Sequence, residues 1–354
     1  MHTQFGRSAL GLDYSSEHKG KTMKKVLFAT TALIATAGIA SADVAISGVA
    51  EMGIFGGDTN AGVNQDTQFH TDIDVTFTMS GETDGGITFG AAVDLDENAA
   101  FNPADNGGIA IFISGDFGTL TMGDTDGALD FALTEAWVGN AGSIGDNETA
   151  HAGALGAYAD GLYDGQILRY DYTFDAFSFA VSVELDDAGV YDPGYAVGAT
   201  YTFSFGGGSA TVGAGYQSAV VTAAAGFLPG NLNNAFVGVV GQGTEVEVVG
   251  VSAAVALDNG LQAAIQYSDW SFDSGVVGFY HIGVGAGYTF DAITVSANYG
   301  MYEGDTAGFW EADGFGVAAA YDFGGGLSAH VGYGSGETFG NTVNNWSLGL
   351  AMSF

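Results

Sequence analysis

The sequence predicts an all-β protein, a transmembrane antiparallel β-barrel of about sixteen strands. Three observations predict it. First, the chain ends in Trp346-Ser347-Leu348-Gly349-Leu350-Ala351-Met352-Ser353-Phe354, with large apolar residues at every second position and an aromatic last residue. A water-soluble domain gains little from such an end, whereas a closing strand with one face in lipid and one in a wet lumen requires it. Second, the same alternation recurs along the chain. Ile73, Val75, Phe77 and Met79 alternate with polar residues, as do Phe177, Phe179, Val181, Val183 and Leu185, and Ile293, Val295, Ala297, Tyr299 and Met301. Third, short and long connections between these segments alternate strictly, the layout of a barrel with tight turns at one rim and loops at the other.

The elements follow in chain order. Residues 1–22 have no role in this fold and read as an upstream extension. Residues 23–42 read as a signal peptide. Met23-Lys24-Lys25 is a charged start, Val26 to Ile39 is an apolar run too short to span a bilayer, and Ala40-Ser41-Ala42 is a small-residue cleavage site. The β-barrel then occupies 43–354. Its short turns are Thr83–Gly86, Gly115-Asp116, Asp175-Ala176, Gly206–Gly208, Asp258–Gly260, Asp291-Ala292 and Gly324–Gly326. Its long connections are Gly56–Gln68, Asp96–Gly107, Asp124–Gly165, Asp186–Pro193, Ser218–Gly243, Ser271–Gly278, Glu303–Glu311 and Ser335–Asn344. Tyr172-Thr173-Phe174, Tyr201-Thr202-Phe203, Tyr288-Thr289-Phe290 and Tyr321-Asp322-Phe323 each precede a short turn, which places aromatics at one height as an interface girdle. The strand Glu245 to Leu257 changes parity near Val248-Val249, and a bulge is expected there. Inward parity carries no aromatic track.

Charge narrows the function. Without residues 1–42, 39 of the 41 acidic residues remain, and Arg169 is the one basic residue left of six. The barrel then carries 38 net negative charges, which leaves no basic footprint for nucleic acid. There is no cysteine, so neither disulfides nor thiolate chemistry contribute. The histidines form no His-x-x-x-His grouping, and no Gly-x-Ser-x-Gly elbow occurs, so neither zinc nor an esterase mechanism is indicated and the protein is not read as an enzyme. A calcium-binding solenoid would repeat a nine-residue glycine-aspartate motif, which is absent.

The third long connection runs to about 40 residues, beyond the usual loop length, and such loops are usually functional. It holds Asp124, Asp126, Asp130, Glu135, Asp146, Glu148, Asp160 and Asp164. Asp124, Asp126, Asp130 and Glu135 stand at positions 1, 3, 7 and 12 of a twelve-residue window, but position 5 is Ala128 and position 6 is not glycine, so no EF-hand is read. Loose Ca2+ or Mg2+ binding by Asp124, Asp126 and Asp130 is compatible with this acidity; no other cofactor is indicated. Parity turns Arg169 and Asp171 inward, either as part of a pore constriction or as a local ion pair.

Phe117-Gly118-Thr119-Leu120-Thr121-Met122-Gly123-Asp124, the run Thr78-Met79-Ser80-Gly81-Glu82-Thr83-Asp84-Gly85-Gly86-Ile87-Thr88-Phe89-Gly90-Ala91, the Met-Lys-Lys start and terminal Phe354 together carry a resemblance. The chain resembles the trimeric general-diffusion porins of Gram-negative outer membranes, in particular their alphaproteobacterial branch. The resemblance implies a third loop, 124–165, folded into the lumen as a constriction. It places Asp124, Asp126, Asp130, Glu135, Asp146, Glu148, Arg169 and Asp171 at the eyelet and makes Phe354 an assembly signal. It implies a homotrimer, contact with outer-membrane lipid and lipopolysaccharide, insertion by the barrel-assembly machinery, and passive passage of small hydrophilic solutes and cations. A cluster of wall arginines typical of the family is missing here, so a broadly negative, cation-preferring eyelet is expected. The alternatives are a substrate-specific channel on the same barrel and, behind it, an outer-membrane barrel enzyme.

Overall fold

The computed structural model describes residues 43–58, 64–97, 104–146, 148–149, 159, 167–186, 189–221, 240–273, 275, 277–306, 311–338 and 341–354. The signal peptide and upstream extension lie outside them, as do Asp160 and Asp164. In chain order the strands are β1 (Asp43–Asp58), β2 (Asn64–Glu82), β3 (Thr88–Glu97), β4 (Ala104–Gly115) and β5 (Gly118–Gly123). A short helix α1 (Ala128–Ala132) follows, then β6 (Ile167–Phe174), β7 (Phe177–Glu184), β8 (Gly194–Phe205), β9 (Gly208–Val220) and β10 (Glu245–Leu257). The chain finishes with β11 (Leu261–Phe272), β12 (Phe279–Phe290), β13 (Ile293–Gly304), β14 (Ala312–Gly324), β15 (Leu327–Thr338) and β16 (Asn341–Ser353).

Each strand pairs antiparallel with its sequence neighbours, and β1 pairs with β16 to close the cylinder. Closure satisfies every strand edge, the condition for placing strands in hydrocarbon. The seam runs from Val49↔Ser353 to Gly57↔Asn345, and Phe354 extends it by donating its N–H to the Gly48 carbonyl at 3.0 Å.

Period 2 sorts the side chains into two faces. One face leaves Ile111, Val251, Ile265, Phe315, Val331 and Leu348 between 43% and 57% exposed. A continuous apolar surface of that kind belongs against lipid. Near the short turns the same face carries Tyr201, Phe203, Tyr288, Phe290, Tyr321 and Phe323, as the girdle motif predicts. At two of those turns Asp175 and Asp291 take the left-handed conformation, at φ 55° and 50°, that a two-residue hairpin demands. The opposite face is small and polar: Gly198, Gly213, Ser252, Gln266, Asn298 and Ser347.

Two expectations fail. The bulge in β10 is absent, because its register to β9 and to β11 runs unbroken. The parity change is real in composition but not in geometry: Val246 and Val248 point inward and are fully buried, while Glu245 and Glu247 are exposed. The eighth connection is not long, since β15 and β16 stay paired out to Thr338↔Asn341. The inward face does carry aromatics, though packed rather than arranged as a track. Trp270, Phe279 and Tyr302 all point inward and are at most 2% exposed, with ring centroids 5.1 Å apart for Trp270–Phe279 and 5.8 Å for Phe279–Tyr302. They form part of one apolar cluster with Val246, Val248, Leu129 and Leu133, so they are a packed core and not a track for solutes.

Candidate functional site: the third connection and the inner wall

The connection after β5 lies against the small, polar face of the barrel. Helix α1 contacts β7, β8 and β9. Beyond it the chain follows the wall: Leu133 meets Gly250 of β10, Ala136 meets Gly283 and Gly285 of β12, Ser143 meets Gly332 of β15, and Ile144 reaches Gly349 of β16 and Gly53 of β1. One segment touching the same face of so many strands around a closed cylinder lies inside it. The wall also bonds the segment's backbone. Ser182, Ser252 and Ser296 accept hydrogen bonds from the N–H groups of Ala128, Thr134 and Ala141 at 2.8–2.9 Å. The Thr149 carbonyl accepts from Trp137 Nε1 at 2.8 Å and Asn298 Nδ2 at 3.0 Å.

The acidic residues of this connection do not act as one set. Asp124 starts it, its N–H bonded to the Ile109 carbonyl at 2.8 Å and its carboxylate lying over Gly108 of β4. Asp126 faces Arg169, whose Nη1 donates to the Asp126 carbonyl at 2.8 Å and stands 4.0 Å from its carboxylate. Arg169 Nε also reaches Asp171 Oδ1 at 3.3 Å, and its guanidinium lies 5.1 Å from the Phe131 ring centroid. The local pair with Asp171 is therefore present, and the same guanidinium also fastens the start of the loop. Asp130 sits within α1, while Glu135 lies beyond it near Tyr302. The intervening helix separates the carboxylates of the twelve-residue window, so they do not converge as an EF-hand does. Asp146 makes a turn at φ 54° and its carbonyl accepts from the Thr149 N–H.

Glu148 departs from the expected set. It is 1% exposed and accepts a hydrogen bond of 2.6 Å from Ser143 Oγ. Its backbone carbonyl presses on Gly316 and Gly334, so Glu148 is buried between loop and wall instead of facing open water. Being acidic and in the loop does not distinguish it from Asp124; only packing does.

The inner wall supplies a second acidic group that parity alone had left unassembled. Asp72 and Asp74 of β2 and Asp96 of β3 bring carboxylate oxygens within 4.8 Å of one another. Register explains it: Asp74 pairs with Asp96, and Asp94 two positions along accepts a hydrogen bond of 2.8 Å from Thr76. Asp94 pairs in turn with Gly108, over which Asp124 lies. Glu51 stands opposite Asp72, with His70 Nε2 at 3.9 Å. Inward acidic residues in neighbouring strands were a visible signal; which of them meet depends on register.

A family model described as Gram-negative porin matches residues 29–341. This chain is a Gram-negative porin. A porin of Rhodobacter capsulatus is 29% identical to it over 295 residues, covering 80% of this chain and 91% of that protein. Among solved structures, a porin refined at 1.8 Å resolution shares 22% identity with a TM-score of 0.59 and spans 88% of this chain and 100% of its own. A mutant porin of Rh. blastica shares 19% identity with a TM-score of 0.61 and the same coverage. Those two likenesses concern the fold; the acidic wall and the single arginine of residues 43–354 are properties of this sequence.

Proposed function

We propose that this porin is a general-diffusion pore of the outer membrane that prefers cations, works as a homotrimer and is exported by a signal peptide cleaved near Ala42. The reading rests chiefly on one observation: the loop start and the wall it approaches are both acidic, and the one guanidinium nearby is already engaged by Asp126 and Asp171. Asp124, Asp126, Asp130 and Asp171, together with Asp72, Asp74, Asp94 and Asp96 on the adjoining strands, enrich cations and repel anions at the eyelet. Oppositely charged walls would set up a transverse field; like-charged walls set up a negative potential along the path. The inward aromatics are buried, so they offer a solute no stacking track, which favours general over substrate-specific passage. The function is passage, not catalysis.

The test is conductance of the purified protein in planar bilayers under a salt gradient. The reversal potential is expected to be strongly of cationic sign at about 0.1 M salt and to shrink toward zero near 1 M, where screening shortens the field to about 3 Å. An anionic sign, or a value near zero at low salt, overturns the reading. Liposome swelling with sugars of graded size separates a general pore, whose rates fall smoothly with size, from a specific one.

A further inference from the structure

We infer that a set of side-chain-free wall positions fixes how far the third connection stands out from the wall, and so sets the size limit of the pore. The inference rests on the diffusion-pore reading and names the residues behind its sieve. Loop carbonyls sit where wall side chains would begin. A Cβ built on Gly213 would stand 1.8 Å from the Ala132 oxygen. One on Gly285 would be 1.7 Å from the Ala136 oxygen, and one on Gly287 would be 1.7 Å from the Gly139 oxygen. On the far side, Gly316 and Gly334 meet the Glu148 oxygen at 2.4 and 2.2 Å. Ordinary contact begins at 3.4 Å, so even alanine has no room at these positions.

This is a stricter demand than smallness. A lumen that needed only small inward residues would accept alanine as readily as glycine. The seat is also continuous, because Gly285 pairs with Asn298, Asn298 with Gly316, and Gly316 with Gly334. Within the same wall the hydroxyls of Ser182, Ser252 and Ser296 hold loop N–H groups. Glycine lets the backbone down onto the wall and serine keeps it there. A methyl group at Gly285 or Gly287 must push the loop inward by about 1.7 Å, because close-packed neighbours leave no void to absorb it.

Gly285→Ala and Gly287→Ala test this in the full-length protein, read by single-channel conductance and by the sugar exclusion limit in liposomes. Both readouts are expected to fall below those of the unaltered protein. Gly206→Ala, in a turn where an added Cβ meets nothing within 4 Å, is the control and is expected to change neither. Folded, heat-modifiable alanine variants with unaltered conductance and exclusion limit overturn the inference. If neither variant folds, a cysteine pair decides, since the chain has no other cysteine. Ala136→Cys with Gly283→Cys places Cβ atoms about 3.1 Å apart, a few tenths of an ångström short of disulfide range. A bond that forms on oxidation and leaves the exclusion limit unaltered supports the seated loop. A pair that stays reduced in the folded barrel, or a bond that widens the limit, overturns it. The bond is read on a gel, so the seat is tested even if the protein does not conduct.

Discussion

Arg169 carries two roles that a single substitution separates. Its charge offsets nearby carboxylates, and its Nη1 hydrogen bond to the Asp126 carbonyl fixes the first turn of the loop. Arg169→Ala is therefore expected to sharpen cation preference and to raise open-channel noise; unchanged reversal potential and noise would remove Arg169 from both roles. The wall carboxylates give the complementary result. Asp74→Asn with Asp96→Asn leaves shape nearly constant while removing two negative charges, so cation preference is expected to weaken without loss of folded protein. An unmoved reversal potential in that variant would place the eyelet away from β2 and β3. Parity was enough to read Arg169 and Asp171 as inward-facing. The burial of Glu148 was not legible, because a loop has no period from which a buried side can be read. Nor was the meeting of Asp72 with Asp96, which depends on strands joined by the connection after Glu82.

At the scale of elements, β16 and the inward cluster make different demands. Leu348 is 51% exposed on the lipid face of the closing strand. Leu348→Arg is expected to cost about 2–4 kcal/mol if it lies at mid-bilayer. The variant is expected to give less heat-modifiable barrel, and wild-type yields would argue that this face is shielded from lipid. Trp270 belongs instead to the interior beneath the loops. Trp270→Ala leaves a cavity and is expected to cost about 3–5 kcal/mol, read as a lowered thermal transition of the purified barrel. A transition within a degree of the unaltered protein's would mean that the cluster contributes little. These two elements also mark the reach of sequence reasoning. β16 was legible because its alternation is complete from Trp346 to Met352. The parity change near Val248 read as a bulge because apolar residues at the loop end of an inward face break the lipid-out pattern, and the packing of Val246, Val248 and Trp270 was not legible. Coverage by α1 and its flanks makes them core, and coverage is a tertiary fact.

Over the whole molecule, the number of strands and the order of turns followed from sequence because antiparallel neighbours joined by short turns admit few arrangements, and closure leaves no free edge. For pore electrostatics the sequence offers only an expected sign, since 39 acidic residues against one arginine in residues 43–354 do not locate a field. That imbalance has another consequence. Residues 43–354 contain no lysine and a single arginine, so trypsin has one cleavage point in them, after Arg169. In the folded barrel that peptide bond lies within β6, paired to β5 and β7 on either side and unavailable to a protease cleft. The assembled wall offers trypsin no point of attack, and residues 43–354, once denatured, yield only two long pieces, 43–169 and 170–354. A survey of outer-membrane proteins by tryptic peptides would pass over this one however abundant it was, whereas an enzyme cutting beside carboxylates would find it at once.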